Sequence, residues 1–408
     1  MKVHERFLNY VRVDTQSDPK SDTSPTTMKQ KDLAKILVEE LHDLGIDNAV
    51  TDDYGYVYAL VEGNVDATAI GFVAHMDTAP DYSGKDVNPR VIENYDGEDI
   101  ALSATTILSV KDFPEMIKQK GKDIIVTDGS TLLGADDKAG IAEIMTMISH
   151  LVKHPEIDHG PIYIAFTPDE EVGKGVANFD LSKFEAEFAY TVDGGGVDCI
   201  DYENFNAAAA VVEVQGVSIH PGSAKNKMIN ALHLGQEFDS LLPTHMRPEH
   251  TDGYDGFYHL GSVHGDIDHC ILEYIVRNHD EEKFNSQKEW MLESASFLNK
   301  KFGKDLIEVK LTDTYANMKK HFADKMYIVD IAHKAIESVG LTPRSSAIRG
   351  GTDGAMLTYM GLPCPNLGTG GGNAHGRYEF CCIQDMELVV KILLSIVKQV
   401  SGVIGNES

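Results

Sequence analysis

The chain has few of the residues that mark secreted, membrane-spanning or nucleic-acid-binding proteins. Its 408 residues include only five cysteines and no Cys-x-x-Cys pair, so we expect reduced thiols in a cytoplasmic protein rather than a disulfide framework. No apolar run approaches the roughly 20 residues of a membrane helix, and the charged N-terminal segment does not have the pattern of a signal peptide. With 36 basic against 64 acidic residues and a net charge of -28, neither nucleic acid nor an anionic membrane is an expected partner.

What the chain does have is enough apolar sequence for two domains. Apolar residues make up 42% of the composition, which suffices for two full cores at this length. The single tryptophan, Trp290, is predicted to lie in a helix of the second domain and to take part in packing. The most loop-like stretch is Ser17 to Thr27, which is rich in serine, threonine and proline.

Acidic and histidine residues follow several apolar runs at the points where strands are predicted to end. One such run reaches His75 and Asp77. Residues two apart on a strand face the same side, so the His75 ring could bind a metal through one nitrogen while Asp77 accepts the other N–H. For a lone His-x-Asp motif, a polar strand end exposed to solvent is the commoner explanation.

The later motifs repeat this design. A second run ends in Asp169, Glu170 and Glu171, and a third ends in Asp193 before three glycines. Three adjacent acids repel one another unless cations or protons compensate. Neighbouring residues point in different directions, so one glutamate could bind metal while the other faces the substrate. This arrangement would supply a metal ligand and a general base together.

Two further candidates lie beside predicted helices. Asp136 and Asp137 precede an amphipathic helix, and His375 lies in a glycine-rich loop. Taken singly, the aspartates could be helix N-caps and the histidine an ordinary loop residue. Five motifs of one kind in one chain instead favour a carboxylate-rich site for two metal ions.

The segment between the two groups of predicted metal ligands has a different pattern of predicted strands and helices. Residues 207–311 have the order β-α-β-β-α-β, which is typical of a ferredoxin-like fold. Since His375 follows this segment, we predict a discontinuous catalytic domain of residues 1–205 and 319–408. Residues 206–318 would form an inserted lid or dimerisation domain, which makes a homodimer the expected assembly.

The motifs also resemble those of the peptidase T family, the tripeptide aminopeptidases among the co-catalytic dizinc exopeptidases. The matching stretches are His75–Thr78, Thr131–Gly140, Phe166–Gly175, Val192–Gly196 and Arg349–Gly354. The resemblance implies an α/β zinc-exopeptidase catalytic domain, in which helices flank a mixed sheet, and the ferredoxin-like α+β insert.

The resemblance also implies a role for each matched residue. His75, Asp136 and Asp193 would hold one Zn²⁺, and Asp136, Glu171 and His375 the other, with Asp136 bridging. A metal-bridging hydroxide would attack the peptide bond with Glu170 as general base. Asp77 would orient His75, and His220 would donate to the oxyanion. Mn²⁺ or Co²⁺ would suit the same histidine and carboxylate ligands.

An exopeptidase must also recognise a chain end. Arg349, in a glycine-flanked loop, and Arg277, after an apolar run, could bind the substrate carboxylate, since a guanidinium pairs with a carboxylate through two hydrogen bonds. The alternative for both is a surface salt bridge. The group that binds the substrate amine is left open, with acids such as Asp169 as candidates.

The predicted activity is therefore release of the N-terminal residue from unblocked tripeptides by a metallo-aminopeptidase, with short peptides as partners. A dipeptidase, a carboxypeptidase or an N-acyl amino acid deacylase would use the same dizinc core. A non-catalytic metal-binding descendant is a further alternative, but it would not need Glu170.

Overall fold

A computed structural model describes residues 1–403, and the chain divides into two compact units. Unit 1 comprises Met1–Tyr202, His321–Ser346 and the residues from Thr352 onward, whereas unit 2 comprises Glu203–Lys320 and Ala347–Gly351. Unit 1 is thus built from three separate stretches of chain.

The helices of residues 1–403 alternate with strands along most of the chain. The helices are α1 (Val3–Tyr10), α2 (Gln30–Asp43), α3 (Ala135–Lys153), α4 (Ala231–Leu241), α5 (Glu281–Phe302), α6 (Met326–Ser338), α7 (Asp353–Tyr359) and α8 (Ile383–Val403). In α3, Asp136 and Asp137 have non-helical backbone angles. Regular helix geometry therefore begins only after the predicted acidic pair.

The strands belong to one large sheet and several smaller ones. Those of unit 1 are β1 (Val50–Thr51), β2 (Val57–Val61), β3 (Ile70–His75), β4 (Arg90–Ile92), β5 (Ile100–Ala101), β6 (Ile107–Leu108), β7 (Ile124–Val126), β8 (Ile162–Thr167), β9 (Phe188–Gly194), β10 (Ile200–Asp201), β17 (Asn366–Gly368), β18 (Gly371–Gly372) and β19 (Phe380–Cys382). Those of unit 2 are β11 (Glu203–Asn204), β12 (Asn206–Gln215), β13 (Phe257–Gly265), β14 (His269–Asn278), β15 (Ile307–Tyr315) and β16 (Ala347–Ile348).

The large sheet of unit 1 has the strand order β1-β2-β8-β3-β9-β17-β10. The central strands β8, β3, β9 and β17 are parallel, and antiparallel partners extend both edges. Every residue of β3 is buried, as expected for a parallel strand covered on both faces. Helix α3 contacts β3 and β9, and α1 and α8 contact α3. The predicted mixed sheet flanked by helices is confirmed.

This parallel arrangement brings the functional motifs to one edge. The carboxyl ends of β8, β3 and β9 lie side by side, because His75 pairs in register with Thr167 and Val73 with Thr191. Ligands of open α/β sheets bind outside the carboxyl ends of the strands. The predicted acids and histidine at these strand ends therefore share one location.

Unit 2 contains one antiparallel sheet in the order β13-β14-β12-β15, which is the ferredoxin-like order that the sequence predicts. Helices α4 and α5 contact the sheet, and the core between them includes Val212, Phe238, Leu272 and Met291. Trp290 lies in a helix of this unit, α5, as predicted, with half of its surface exposed. Its indole N–H donates to the Leu241 carbonyl.

Within residues 1–403, no helix has the length and apolar character needed to cross a membrane.

Candidate metal centre

The centre is built around His75 at the end of β3. The ring is 2% exposed, and its Nδ1 lies 3.0 Å from the backbone oxygen of Asp77 and 3.4 Å from the Asp77 carboxylate. Its Nε2 lies 2.8 Å from Asp136 Oδ1 and 3.6 Å from Asp193 Oδ1. One nitrogen of His75 is thus held by its own strand end, while the other faces two carboxylates.

The Asp136 carboxylate lies between the two predicted histidine ligands. Its Oδ1 contacts His75, and its Oδ2 lies 3.4 Å from His375 Nε2. That same His375 nitrogen is 3.0 Å from Glu171 Oε2. The loop of His375 uses a positive φ of 65°. Four of the predicted metal ligands are therefore joined in one chain of contacts, and Asp193 is joined to it through His75.

Glu170 and Glu171 occupy a short 3₁₀ turn, Glu170–Val172, that Asp77 holds in place. The backbone N–H groups of Glu170 and Glu171 donate to the two carboxylate oxygens of Asp77 at 3.0 and 3.2 Å. Asp77 is fully buried. It therefore joins the strand that carries His75 to the turn that carries both glutamates.

Burial and like charge shift the acids of the centre toward the neutral form. Burial raises the pKa of Glu171 to about 7 and that of Asp193 to about 6. Burial also raises the pKa of Glu170 well above its ordinary range, and the nearby Asp193 and Asp353 carboxylates add to the effect. So many buried carboxyl groups favour a compensating positive charge.

The two histidines experience the opposite influence. Hydrogen bonds to Asp136 and Glu171 raise the pKa of His375 to about 11. Burial opposes the charge on His75, yet the carboxylates of Asp193, Asp136 and Asp77 raise its pKa well above the usual range. In turn, His375 and His75 lower the pKa of Asp136 despite its burial. In the metal-free state, the imidazolium charges therefore balance part of the acidic cluster.

Two buried acids, Asp137 and Glu379, belong to the centre although neither was predicted as a site residue. Asp137, 1% exposed, accepts the backbone N–H groups of His75 and Gly140 at 3.2 Å each. Glu379, 2% exposed, accepts three backbone N–H groups of the loop that delivers Asp136, at 2.7, 2.7 and 3.0 Å. The signal for Glu379 was an isolated acid directly before the apolar run of β19.

The donor set fits divalent metal ions. Ligand atoms of His75, Asp136 and Glu171 lie within 4.8 Å of one another, as do those of His75, Asp137 and Asp193. Moreover, Glu171 Oε1 is buried with no hydrogen-bond partner among the described residues, so an oxygen lone pair is available for a cation. Imidazole nitrogens and carboxylate oxygens are ligands for zinc and for manganese or cobalt.

Asp169, considered above as a binding group for the substrate amine, is hydrogen-bonded to other residues of the protein. It is 1% exposed, and its carboxylate accepts hydrogen bonds from Thr26 and Gln30. A buried and fully bonded carboxylate cannot receive a substrate ammonium without losing these partners.

The remaining predicted residues, His220, Arg277 and Arg349, belong to unit 2. His220 is exposed, and its Nδ1 accepts the backbone N–H of Gly222 at 3.1 Å. The other ring nitrogen is therefore the one that could donate to a ligand, as the neutral ring has one N–H.

The two arginines lie together around Phe257. Both guanidinium groups lie over its ring, at 5.8 Å for Arg277 and 5.7 Å for Arg349, and Arg277 donates to the Arg349 carbonyl at 3.1 Å. Arg349 donates to two backbone oxygens and one hydroxyl of residues 251–255, which uses three of its five N–H groups. Arg277 Nε is buried without a hydrogen-bond partner among the described residues.

Comparison with known proteins agrees with this architecture. The sequence profile of Peptidase family M20/M25/M40 matches residues 128–399. A peptidase T from Clostridium acetobutylicum is 52% identical over 401 residues, which cover 97% of this chain and 98% of the relative.

Two solved structures share the fold over nearly the whole length. A tripeptidase from Staphylococcus aureus has a TM-score of 0.79 at 23% identity, and the match covers 98% of each chain. A Bacillus subtilis protein described as a dinuclear metal-binding peptidase of the M20 family has a TM-score of 0.66 at 14% identity, again over 98% of each chain. The predicted resemblance is confirmed: the chain is a hydrolase that belongs to peptidase family M20/M25/M40 and, within it, to the peptidase T family.

Proposed function

We propose that this peptidase releases the N-terminal residue from unblocked tripeptides with the help of two Zn²⁺ ions. The observation that carries the proposal is the Asp136 carboxylate, whose two oxygens face His75 on one side and His375 on the other. Such a carboxylate suits a bridging ligand. One ion would be held by His75, Asp136 and Asp193, and the other by Asp136, Glu171 and His375.

When bound, two divalent cations supply Lewis-acid polarisation of the scissile carbonyl and a water of lowered pKa. Mn²⁺ or Co²⁺ would serve as substitutes. The protein supplies the proton transfer. Glu170 accepts the proton of the attacking water and returns it to the leaving amine.

Asp77 fixes the geometry of that transfer. Through its contacts to His75 and to the N–H groups of Glu170 and Glu171, Asp77 would hold the metal ligand His75 and the base Glu170 in fixed positions. A base held in one orientation avoids the loss of rate that comes from misplacement.

Arg277 and Arg349 would bind the free carboxylate of the substrate. The partnerless Nε of Arg277 supports this role, because a buried guanidinium nitrogen without a partner carries an unmet desolvation cost. Arg349 still has its Nε and one Nη2 hydrogen for a bidentate pair, beyond the three bonds described above.

His220 would donate a hydrogen bond to the tetrahedral oxyanion. The insert, residues 206–318, would serve as a lid or dimerisation domain in a homodimer, and residues 1–205 and 319–408 would form the discontinuous catalytic domain. We place the enzyme in the cytoplasm, a proposal supported by the five unbridged, buried cysteines.

The test is hydrolysis of matched unblocked di-, tri- and tetrapeptides by zinc-reconstituted protein, with N-acetylated and C-amidated tripeptides alongside. We expect release of the N-terminal residue from the free tripeptide, and little turnover of either blocked form. Release of the C-terminal residue would contradict the proposal in favour of a carboxypeptidase. Preference for the acetylated peptide would contradict it in favour of a deacylase.

A further inference from the structure

We propose that Thr26 and Gln30 are positioning residues for the reaction, because they lock Asp169 and thereby the turn that carries Glu170 and Glu171. The inference rests on the proposed role of Glu170 as general base. It assigns a catalytic purpose to a segment that the sequence marks only as loop-like.

The contacts form a closed buried network. Both carboxylate oxygens of Asp169 accept the backbone N–H of Thr26, at 3.0 and 2.8 Å, and Oδ1 also accepts the Thr26 hydroxyl at 2.5 Å and Gln30 Nε2 at 2.6 Å. The Gln30 side chain makes a second hydrogen bond to the same residue, since its Oε1 accepts the backbone N–H of Asp169 at 3.1 Å. Gln30 therefore holds the side chain and the backbone of Asp169 at once.

Burial makes this network hard to replace by water. Thr26, Gln30 and Asp169 are 5%, 1% and 1% exposed. A buried carboxylate that loses a donor keeps the full cost of its desolvation. Removal of one partner should therefore shift Asp169 rather than leave it in place.

The backbone of Asp169 has an uncommon conformation. Its φ is 60° and its ψ is 21°, a left-handed conformation that residues with a β-carbon adopt rarely, although aspartate adopts it more readily than most. Asp169 directly precedes Glu170, so its dihedral angles set the direction in which the turn leaves β8. A relaxed Asp169 would rotate the carboxylate of Glu170 away from the position of the reacting atoms.

The same segment is fastened at two more points beyond the turn. Lys174 Nζ donates to the Ser21 carbonyl at 2.9 Å, and Asn178 Nδ2 donates to the Ser24 hydroxyl at 3.0 Å. These contacts attach the segment without touching Asp169. Asp77 holds the N–H groups of the turn, whereas the Thr26–Gln30 network holds the residue that introduces it, so the glutamates are fixed from two directions.

The experiment compares Thr26→Val, Gln30→Met and the conservative Thr26→Ser, with Ser24→Ala as a matched loss of a hydroxyl in the same segment. For each zinc-loaded variant we would measure kcat and KM on a tripeptide, zinc content and the thermal midpoint. We expect Thr26→Val and Gln30→Met to lower kcat by about 10- to 100-fold, with KM and zinc content close to the wild-type values. The thermal midpoint should fall because buried hydrogen bonds are lost, but both variants should remain folded at the assay temperature. Thr26→Ser should restore most of kcat, and Ser24→Ala should leave it unchanged.

Unchanged kcat in both Thr26→Val and Gln30→Met would overturn the proposal. So would a loss of kcat that is explained by zinc loss or by unfolding at the assay temperature, since the network would then be only a structural support. Failure of the proposed function looks different, because the wild-type protein itself would not cleave tripeptides.

Discussion

Replacing Glu171 with glutamine should change the stability of the metal-free and the metal-loaded protein in opposite directions. Without metal, the buried carboxylate faces other acids, and burial raises its pKa from the ordinary 4.5 to about 7. The side chain is only 4% exposed, so solvent provides little screening. Glutamine has nearly the same shape and carries no charge.

The size of the effect follows from the two pKa values. The native state binds the proton of Glu171 more tightly than the unfolded state does, so this contribution to stability is fully present below pH 4.5 and is lost as the pH rises through 7. The difference between 4.5 and about 7 corresponds to about 3 kcal/mol at pH 8.5 and about 1 kcal/mol at pH 5. These amounts are the upper limits of the gain in unfolding free energy for metal-free Glu171→Gln, because the variant also loses the contact between the Glu171 carboxylate and His375.

The assay is urea unfolding at pH 5 and pH 8.5, in chelator and again with excess zinc. With zinc, the ranking should reverse, because the variant has lost an anionic ligand and with it the stabilisation by metal binding. Glu185→Gln, a change at an exposed acid of the same unit, is the control and should show neither effect. The reasoning is refuted if metal-free Glu171→Gln is no more stable than the wild type at pH 8.5.

Four other changes test separate parts of the structure. Glu170→Gln should lower kcat by about 10²- to 10⁴-fold with metal content unchanged, and normal turnover would exclude Glu170 as the base. Glu379→Gln should cost about 1–3 kcal/mol in urea unfolding, because an amide cannot accept three backbone N–H groups; an unaltered unfolding midpoint would contradict that account. Gly175→Ala places a β-carbon 1.9 Å from Asp353 Oδ1 and should lower the free energy of unfolding by about 1–3 kcal/mol. An unchanged thermal midpoint would contradict this expectation. Arg277→Met should raise KM about 10- to 100-fold for free tripeptides but not for C-amidated ones, and an equal rise for both would argue against carboxylate binding.

Much of the fold could be predicted from the sequence because each type of strand has a regular pattern of burial. The parallel strands β3, β8 and β9 are buried on both faces, so they form apolar runs that end abruptly at His75, Thr167 and Asp193. The ferredoxin-like order of unit 2 was readable for a similar reason, as its strands alternate between core and surface.

The residues that the sequence could not assign act through backbone atoms. Asp137 and Glu379 accept hydrogen bonds from main-chain N–H groups. Such contacts depend on the conformation of loops, which the periodicity of apolar residues does not predict. Asp169 was considered for a substrate amine because it directly precedes Glu170 and Glu171, the predicted base and metal ligand. Its partners Thr26 and Gln30 lie 143 and 139 residues away, beyond the reach of a motif.

Trp290 lies in a helix of unit 2, as predicted, but half of its surface is exposed. Its indole is large and apolar, so burial was the natural expectation. The helix α5 has enough other apolar residues, among them Phe284, Met291 and Leu298, to fill the core of unit 2 without it.

The discontinuity of unit 1 sets the order in which a newly made chain can acquire its cofactors. Unit 2 is nearly continuous, and its sheet pairs residues within Asn206–Tyr315, so it can fold while the ribosome is still at work. By contrast, β9 pairs with β17, with Thr191 opposite Asn366, and His375 emerges later still. A nascent polypeptide therefore carries an incomplete set of the proposed ligands until His375 has been made, so the proposed two-metal site would be completed only after unit 2 has been synthesised.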